Sequence, residues 1–196
     1  METNAKLLSD HIVSSNKAME VLFKNKHHES ALILLYSWVD RLAWLSVDAE
    51  ESNGGDFKQW LNRYLFVEEE AFAFNADDLW GARCALLHTG TSEARDVKKG
   101  KARAVFYYGG QIDVVAKNTN EQVYVNVGQL HVSLIGASQR FLQHLEKAPN
   151  ELRRVNLKIG KILQRTTDFL TKRLRQIRNA RHFWFESTLV FKVARI

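Results

Sequence analysis

The chain has a single cysteine, Cys84, and a single proline, Pro149, in 196 residues. One thiol excludes an internal disulfide and a cysteine-rich zinc site, and this sparing use of cysteine fits a reducing cytoplasm. One proline and ten glycines leave few helix breakers, so helices are expected to dominate. No apolar run reaches the roughly 18 residues of a membrane-span candidate. The nearest, Ala31 to Leu45, is interrupted by Asp40 and Arg41 and reads as a buried helix. The first residues, Met1-Glu2-Thr3-Asn4-Ala5-Lys6, lack the charged-then-apolar build of a signal peptide. A Gly-rich phosphate loop, a G-x-S-x-G turn, internal repeats and low-complexity linkers are also missing. His27-His28-Glu29 is the nearest thing to a metal motif. Adjacent helical residues point apart and no second ligand cluster accompanies them, so neither metal nor cofactor is expected.

What is present is unevenly charged. Residues 1–150 carry 16 Lys and Arg against 19 Asp and Glu, whereas residues 151–196 carry 12 against 3. A basic C-terminal segment favours phosphate-rich partners, or forms a solvated helix face. Apolar residues recur at helical spacing over Ala5–Asn25, Glu29–Asp48 and Gly128–Lys147. Asn53-Gly54-Gly55 breaks the chain, and Asp56 is expected to cap a third helix reaching about Phe66. Asn75 is expected to cap a fourth through His88, with Asp77 and Asp78 in its first turn and Gly90 as its stop. Residues 93–101 read as a charged loop. Ala104–Tyr108 and Gln122–Val127 are rich in Val, Tyr and Phe and read as strands; Ile112–Ala116 is a candidate third, after Gly109-Gly110. Asn150 is expected to cap a last helix from about Glu151. The expected fold is therefore mainly α, with a small antiparallel β-element inserted around residues 103–127.

Arg83-Cys84-Ala85-Leu86-Leu87-His88 carries the most chemical information. An imidazole moves protons near neutral pH, and a guanidinium holds charge that builds on phosphoryl oxygens, so the pair can cut a phosphodiester without a metal. The spacing alone is not distinctive, since Arg175 and His182 form a comparable pair in the tail. Residues five apart on a helix point about 140° away from each other. Arg83 and His88 therefore meet only if the helix ends near His88, or if two copies of the helix face each other across a dimer. On spacing alone a structural role, with Arg83 paired to a carboxylate and His88 at the last helical turn, is the better account. Cys84 reads as a small core residue rather than a nucleophile, and Trp38, Trp44, Trp60 and Trp80 as core or interface positions. Lys98, Lys99, Lys101 and Arg103 follow closely and form a natural phosphate grip.

Asp78-Leu79-Trp80-Gly81-Ala82-Arg83-Cys84-Ala85-Leu86-Leu87-His88-Thr89, after a helix with Tyr36-Ser37-Trp38-Val39-Asp40, resembles the HEPN superfamily. Its signature is an Arg, four to six residues and a His near a helix end, in a helical bundle. Many members are metal-independent endoribonucleases, including toxin and phage-defence proteins. The likeness in layout covers about residues 1–160, and its specific part is short. It implies a HEPN-like domain over 1–165, with 166–196 as a basic and apolar extension. It further implies that His88 serves as general acid or base, that Arg83 stabilises the phosphorane-like transition state, and that Asp40 or Asp78 orients one of them. RNA would be the substrate, a homodimer the assembly, and an antitoxin or defence-system protein a further partner. Many active members carry a polar residue, often Asn, directly after the Arg, where this chain has Cys84. The alternative is a non-catalytic dimeric module of the same fold that binds a protein, a nucleotide or nucleic acid.

Overall fold

A computed structural model of the chain describes residues 2–67, 72–90, 92, 94–110 and 117–161. The chain divides into two compact units, Met1–Asn156 and Leu157–Ile196. The expected division after residue 165 and the tail at 166–196 lie outside the described residues, as does the candidate strand Ile112–Ala116. Among the described residues, no helix is long and apolar enough to cross a membrane.

The first unit is mainly helical. Helix α1 (Glu2–Lys24) buries Leu8, Ile12 and Met19 along one stripe. The chain turns at Lys26, which takes a left-handed φ of 61°. Helix α2 (His28–Ser46) is covered on most sides, burying Leu32, Leu35, Tyr36, Trp38, Val39 and Leu42, as expected for a central helix. Helix α3 (Gly54–Tyr64) is capped three residues earlier than expected. Asn53, not Asp56, is the N-cap: its side chain accepts from the Gly55 N–H at 2.7 Å, and Asp56 accepts in return from the Asn53 N–H at 2.8 Å. Asp56 is the carboxylate partner of a capping box rather than its first residue. Trp38, Trp60, Tyr36, Phe57 and Phe141 fill the core, and Phe141 meets Tyr64 edge-on at 5.2 Å.

Helix α4 (Ala76–Thr89) has the expected ends. The Asn75 side chain accepts from the Asp78 N–H, Asp78 returns the bond, and Gly90 closes the helix at φ 64°, where a Cβ would be strained. The stretch expected to be a plain loop contains one helical turn, α5 (Arg95–Lys98). Strands β1 (Ala104–Tyr108) and β2 (Gln122–Asn126) follow. They pair in parallel, Ala104 with Gln122 through Tyr108 with Asn126, and this corrects the expected antiparallel element. Gly109-Gly110 suggests a hairpin, but the chain between the strands is long enough to cross back, as a parallel pair requires. Strand β2 then runs straight into α6 (Val127–Lys147), whose N-cap Asn126 accepts from the Gln129 N–H. Residues 149–161 are helical. Their first backbone bond runs from the Leu152 N–H to the Ala148 carbonyl, which puts the cap at Ala148, not the expected Asn150, and Pro149 in the first helical position, where a missing N–H does no harm.

Two contacts set the sheet over the bundle. The Tyr36 hydroxyl on α2 hydrogen-bonds the Tyr107 hydroxyl on β1, and burial pushes both phenols above their ordinary range. Gly81 on α4 lies so close to the segment after α5 that a Cβ there would sit 3.0 Å from the Ala102 Cβ. The absence of a side chain at 81 therefore lets the basic stretch pack directly on the motif helix.

Candidate active site

Arg83 lies on the face of α4 that meets α2. Its Nε and Nη2 donate to one oxygen of Asp40, at 3.0 and 2.8 Å, and its guanidinium sits 5.1 Å over the Trp80 ring. Burial opposes the charge, but the Asp40 contacts outweigh it and raise the Arg83 pKa further above its already high value. The group is thus a permanent cation, fixed from one side by a carboxylate and from below by an indole. Trp80 is itself wedged: a Cβ on Gly54 would come within 2.6 Å of its ring, and Phe57 packs on it at 5.3 Å.

The free edge of the guanidinium turns toward the helix end, where Nη1 lies 3.4 Å from Nε2 of exposed His88. The two residues meet on one unbroken helix, although their Cα positions diverge by about 140° and lie about 7.5 Å apart along the axis. A helical side chain leans toward the N-terminus, which brings the imidazole back over the preceding turn, and the long arginine side chain spans the rest. Of the two routes to convergence, the helix end suffices for a single pair, because α4 stops at Thr89 and leaves the His88 side open.

The pair opens on a cleft of about 520 Å³ lined also by Cys84, Ala94, Arg95 and Asp96. Arg95 and Asp96 are absent from the sequence expectations. Their signal in the sequence is the charged stretch 93–101 that follows Gly90. Arg95 is exposed and makes no ion pair among the described residues, so it is a second cation at the cleft.

Cys84 is half-buried at the wall. Burial pushes its thiol up, and the Arg83 charge offsets this only in part. A protonated thiol is a poor nucleophile, which agrees with reading Cys84 as a packing residue. Iodoacetamide is therefore expected to modify Cys84 more slowly at pH 7 than it modifies glutathione, with the rate climbing as the pH passes the ordinary thiol range. As the chain's one cysteine, it reports directly by intact mass. Modification at pH 7 as fast as glutathione's would contradict the raised thiol.

The other expected site residues lie elsewhere. Asp78 is 1 % exposed and is taken up by Arg103, whose Nη2 lies 2.5 Å from Oδ2 and whose backbone N–H donates to Oδ1 at 2.9 Å. It has no hydrogen bond to Arg83 or His88 among the described residues, whereas Asp40 holds Arg83. Arg103 also donates to the Ala73 carbonyl at 2.8 Å and acts as a brace. Lys98, Lys101 and Arg103 line a separate cleft of about 720 Å³, with Asp78, Phe106 and Gln122. Lys99 is exposed at the end of α5. The two clefts share α5, with Arg95 and Asp96 on one and Val97 and Lys98 on the other. Trp38 and Trp60 are core residues, as expected, whereas Trp80 is half-exposed beneath the site.

The fold is thus a mainly helical bundle carrying a two-stranded parallel sheet, with an Arg–Asp pair and a His at the end of one capped helix. Comparison with protein-family models, with curated proteins and with solved structures finds no match to this chain.

Proposed function

We propose that the protein is an endoribonuclease of HEPN type that cleaves RNA by transesterification without needing a metal ion. The observation that carries this reading is the Arg83 guanidinium, locked by Asp40 and turned edge-on to His88 at an open cleft. In such a reaction the ribose 2′-oxygen bonds to phosphorus as its proton passes to a base. The bond from phosphorus to the 5′-oxygen breaks as that oxygen takes a proton. The products are a 2′,3′-cyclic phosphate and a 5′-hydroxyl. Arg83 meets the charge on the non-bridging oxygens, in a position fixed before substrate arrives. One imidazole serves one of the two proton transfers. A homodimer that brings two α4 ends together supplies the second His88, and the exposure of His88 at the helix end leaves it available for that arrangement. An activity of this kind suits a toxin or phage-defence component held in check by a partner protein.

The test is to incubate the full-length protein with RNA in excess EDTA and to map the new ends. Products with cyclic phosphate and 5′-hydroxyl ends are expected at an undiminished rate. Cleavage that stops on chelation, or 3′-hydroxyl ends, would refute the reading. Cys84, standing where many active members have a polar residue, favours a second reading: a non-catalytic dimeric module that binds a protein, nucleotide or nucleic acid. Under that reading the purified protein leaves RNA intact, and its expression is harmless to the host.

A further inference from the structure

We infer that the open face of the two-stranded sheet is a base-stacking subsite for single-stranded RNA, with Phe106 as its platform. Side chains alternate along a strand. Val105, Val123 and Val125 point to the core and are buried. The opposite face therefore carries Ala104, Phe106 and Tyr108 from β1, and Gln122, Tyr124 and Asn126 from β2. This face carries three aromatic residues, of which Phe106 is exposed and Tyr108 and Tyr124 are half-buried. Phe106 and Tyr124, direct partners in the register, stack at 5.5 Å with an interplanar angle of 27°. Phe106 remains 38 % exposed and lines the cleft of about 720 Å³.

That cleft has the chemistry of a nucleotide rather than of a lipid or an apolar peptide. Exposed Lys101 lines the same cleft as Phe106 and supplies a cation for a backbone phosphate, and the amides of Asn120 and Gln122 offer donors and acceptors to a base edge. Helix α5 lines both this cleft and the Arg83–His88 cleft, so one strand laid across α5 reaches the aromatic face and the reacting phosphate together. The inference rests on the RNA reading above and deepens it, because it places the binding of flanking nucleotides on the sheet and not on the basic tail.

The test uses full-length protein carrying His88→Ala, so that substrate survives, and a fluorescein-labelled decaribonucleotide read by anisotropy. Adding Phe106→Ala is expected to weaken RNA binding by roughly tenfold, as loss of one stacked base does. Phe106→Tyr should retain it, and binding of inorganic polyphosphate, which has no bases, should not change. Adding Lys101→Ala should instead lower the salt dependence by about 0.7 in log–log slope, the loss of one phosphate contact. Phe106 is at the surface, and an unchanged thermal midpoint will show that Phe106→Ala still folds. Unchanged RNA affinity in Phe106→Ala overturns the subsite while leaving the ribonuclease reading intact. Equal losses for RNA and polyphosphate overturn it as well. A parent protein that binds no RNA overturns both.

Discussion

Arg83→Ala is expected to lower the single-turnover rate of RNA cleavage by about a thousandfold, the upper end of what loss of one preorganised charge-stabilising donor costs. His88→Ala should lower it by a comparable factor, within the roughly hundred- to ten-thousandfold range of a lost general acid or base. The double variant should be little worse than either, because the two groups act on one transition state and their effects do not add. RNA affinity should change only severalfold, since most of the proposed binding surface lies beyond α5. Arg83→Lys is the sharper test. It keeps a cation but loses the fork that reaches Asp40 with Nε and Nη2 while Nη1 faces His88. Little activity should return, and Asp40→Asn, which leaves the guanidinium without its counter-charge, should fall between Arg83→Lys and the parent. Arg83 is about one-fifth exposed and lies at a cleft, so its replacement should not unfold the protein. Cleavage by Arg83→Ala at the parent rate would remove the site from α4 altogether.

Much of this site is written locally in the chain. Asn75, Asp78 and Gly90 bound α4 because capping depends on residues within one turn of each other, and such signals survive whatever the tertiary context. Asp40 is legible only as one of two candidate carboxylates, beside Asp78. A charge on the central, mostly buried helix needs a counterpart, but the sequence does not say which cation reaches it. What is not legible depends on chain path. The direction of β2 relative to β1 is set by where residues 109–121 lead, and a Gly-Gly step reads the same at a hairpin and at the start of a crossover. The grouping of Lys98, Lys101 and Arg103 into a cleft apart from Arg83 depends on a single turn of helix, too short to leave a periodic pattern. The aromatic pair on the sheet is less hidden than the strand direction, because Phe106 and Tyr124 are the middle residues of their strands and face each other in the full-overlap register of either direction.

Asp78→Ala should lower stability by about 3 kcal/mol, near the lower end of the cost of breaking a buried ion pair. In a chain of this size that corresponds to a fall of roughly 9 °C in the thermal midpoint. The motif assigns Asp78 a place beside Arg83 by sequence, five residues away, but its carboxylate is turned inward. It accepts from the Asn75 N–H at 3.0 Å and the Arg103 N–H at 2.9 Å, and it holds the Arg103 guanidinium through Nε and Nη2. Removing it breaks the returning half of the capping box, while the Asn75 cap itself stays, and releases the segment that carries the basic cleft. Arg103→Ala should cost a similar amount, since it strands a buried carboxylate with only backbone donors, and the double variant should cost clearly less than the two singles combined. This pattern separates two roles for the same residues. If Asp78 were an orienting group of the reaction and Arg103 a phosphate grip, each substitution would depress cleavage or binding and leave the midpoint within a degree or two of the parent. A brace behaves in the opposite way. Below its melting range, Asp78→Ala protein should keep most of its cleavage rate, because Arg83 is held by Asp40 from α2, which this substitution does not touch.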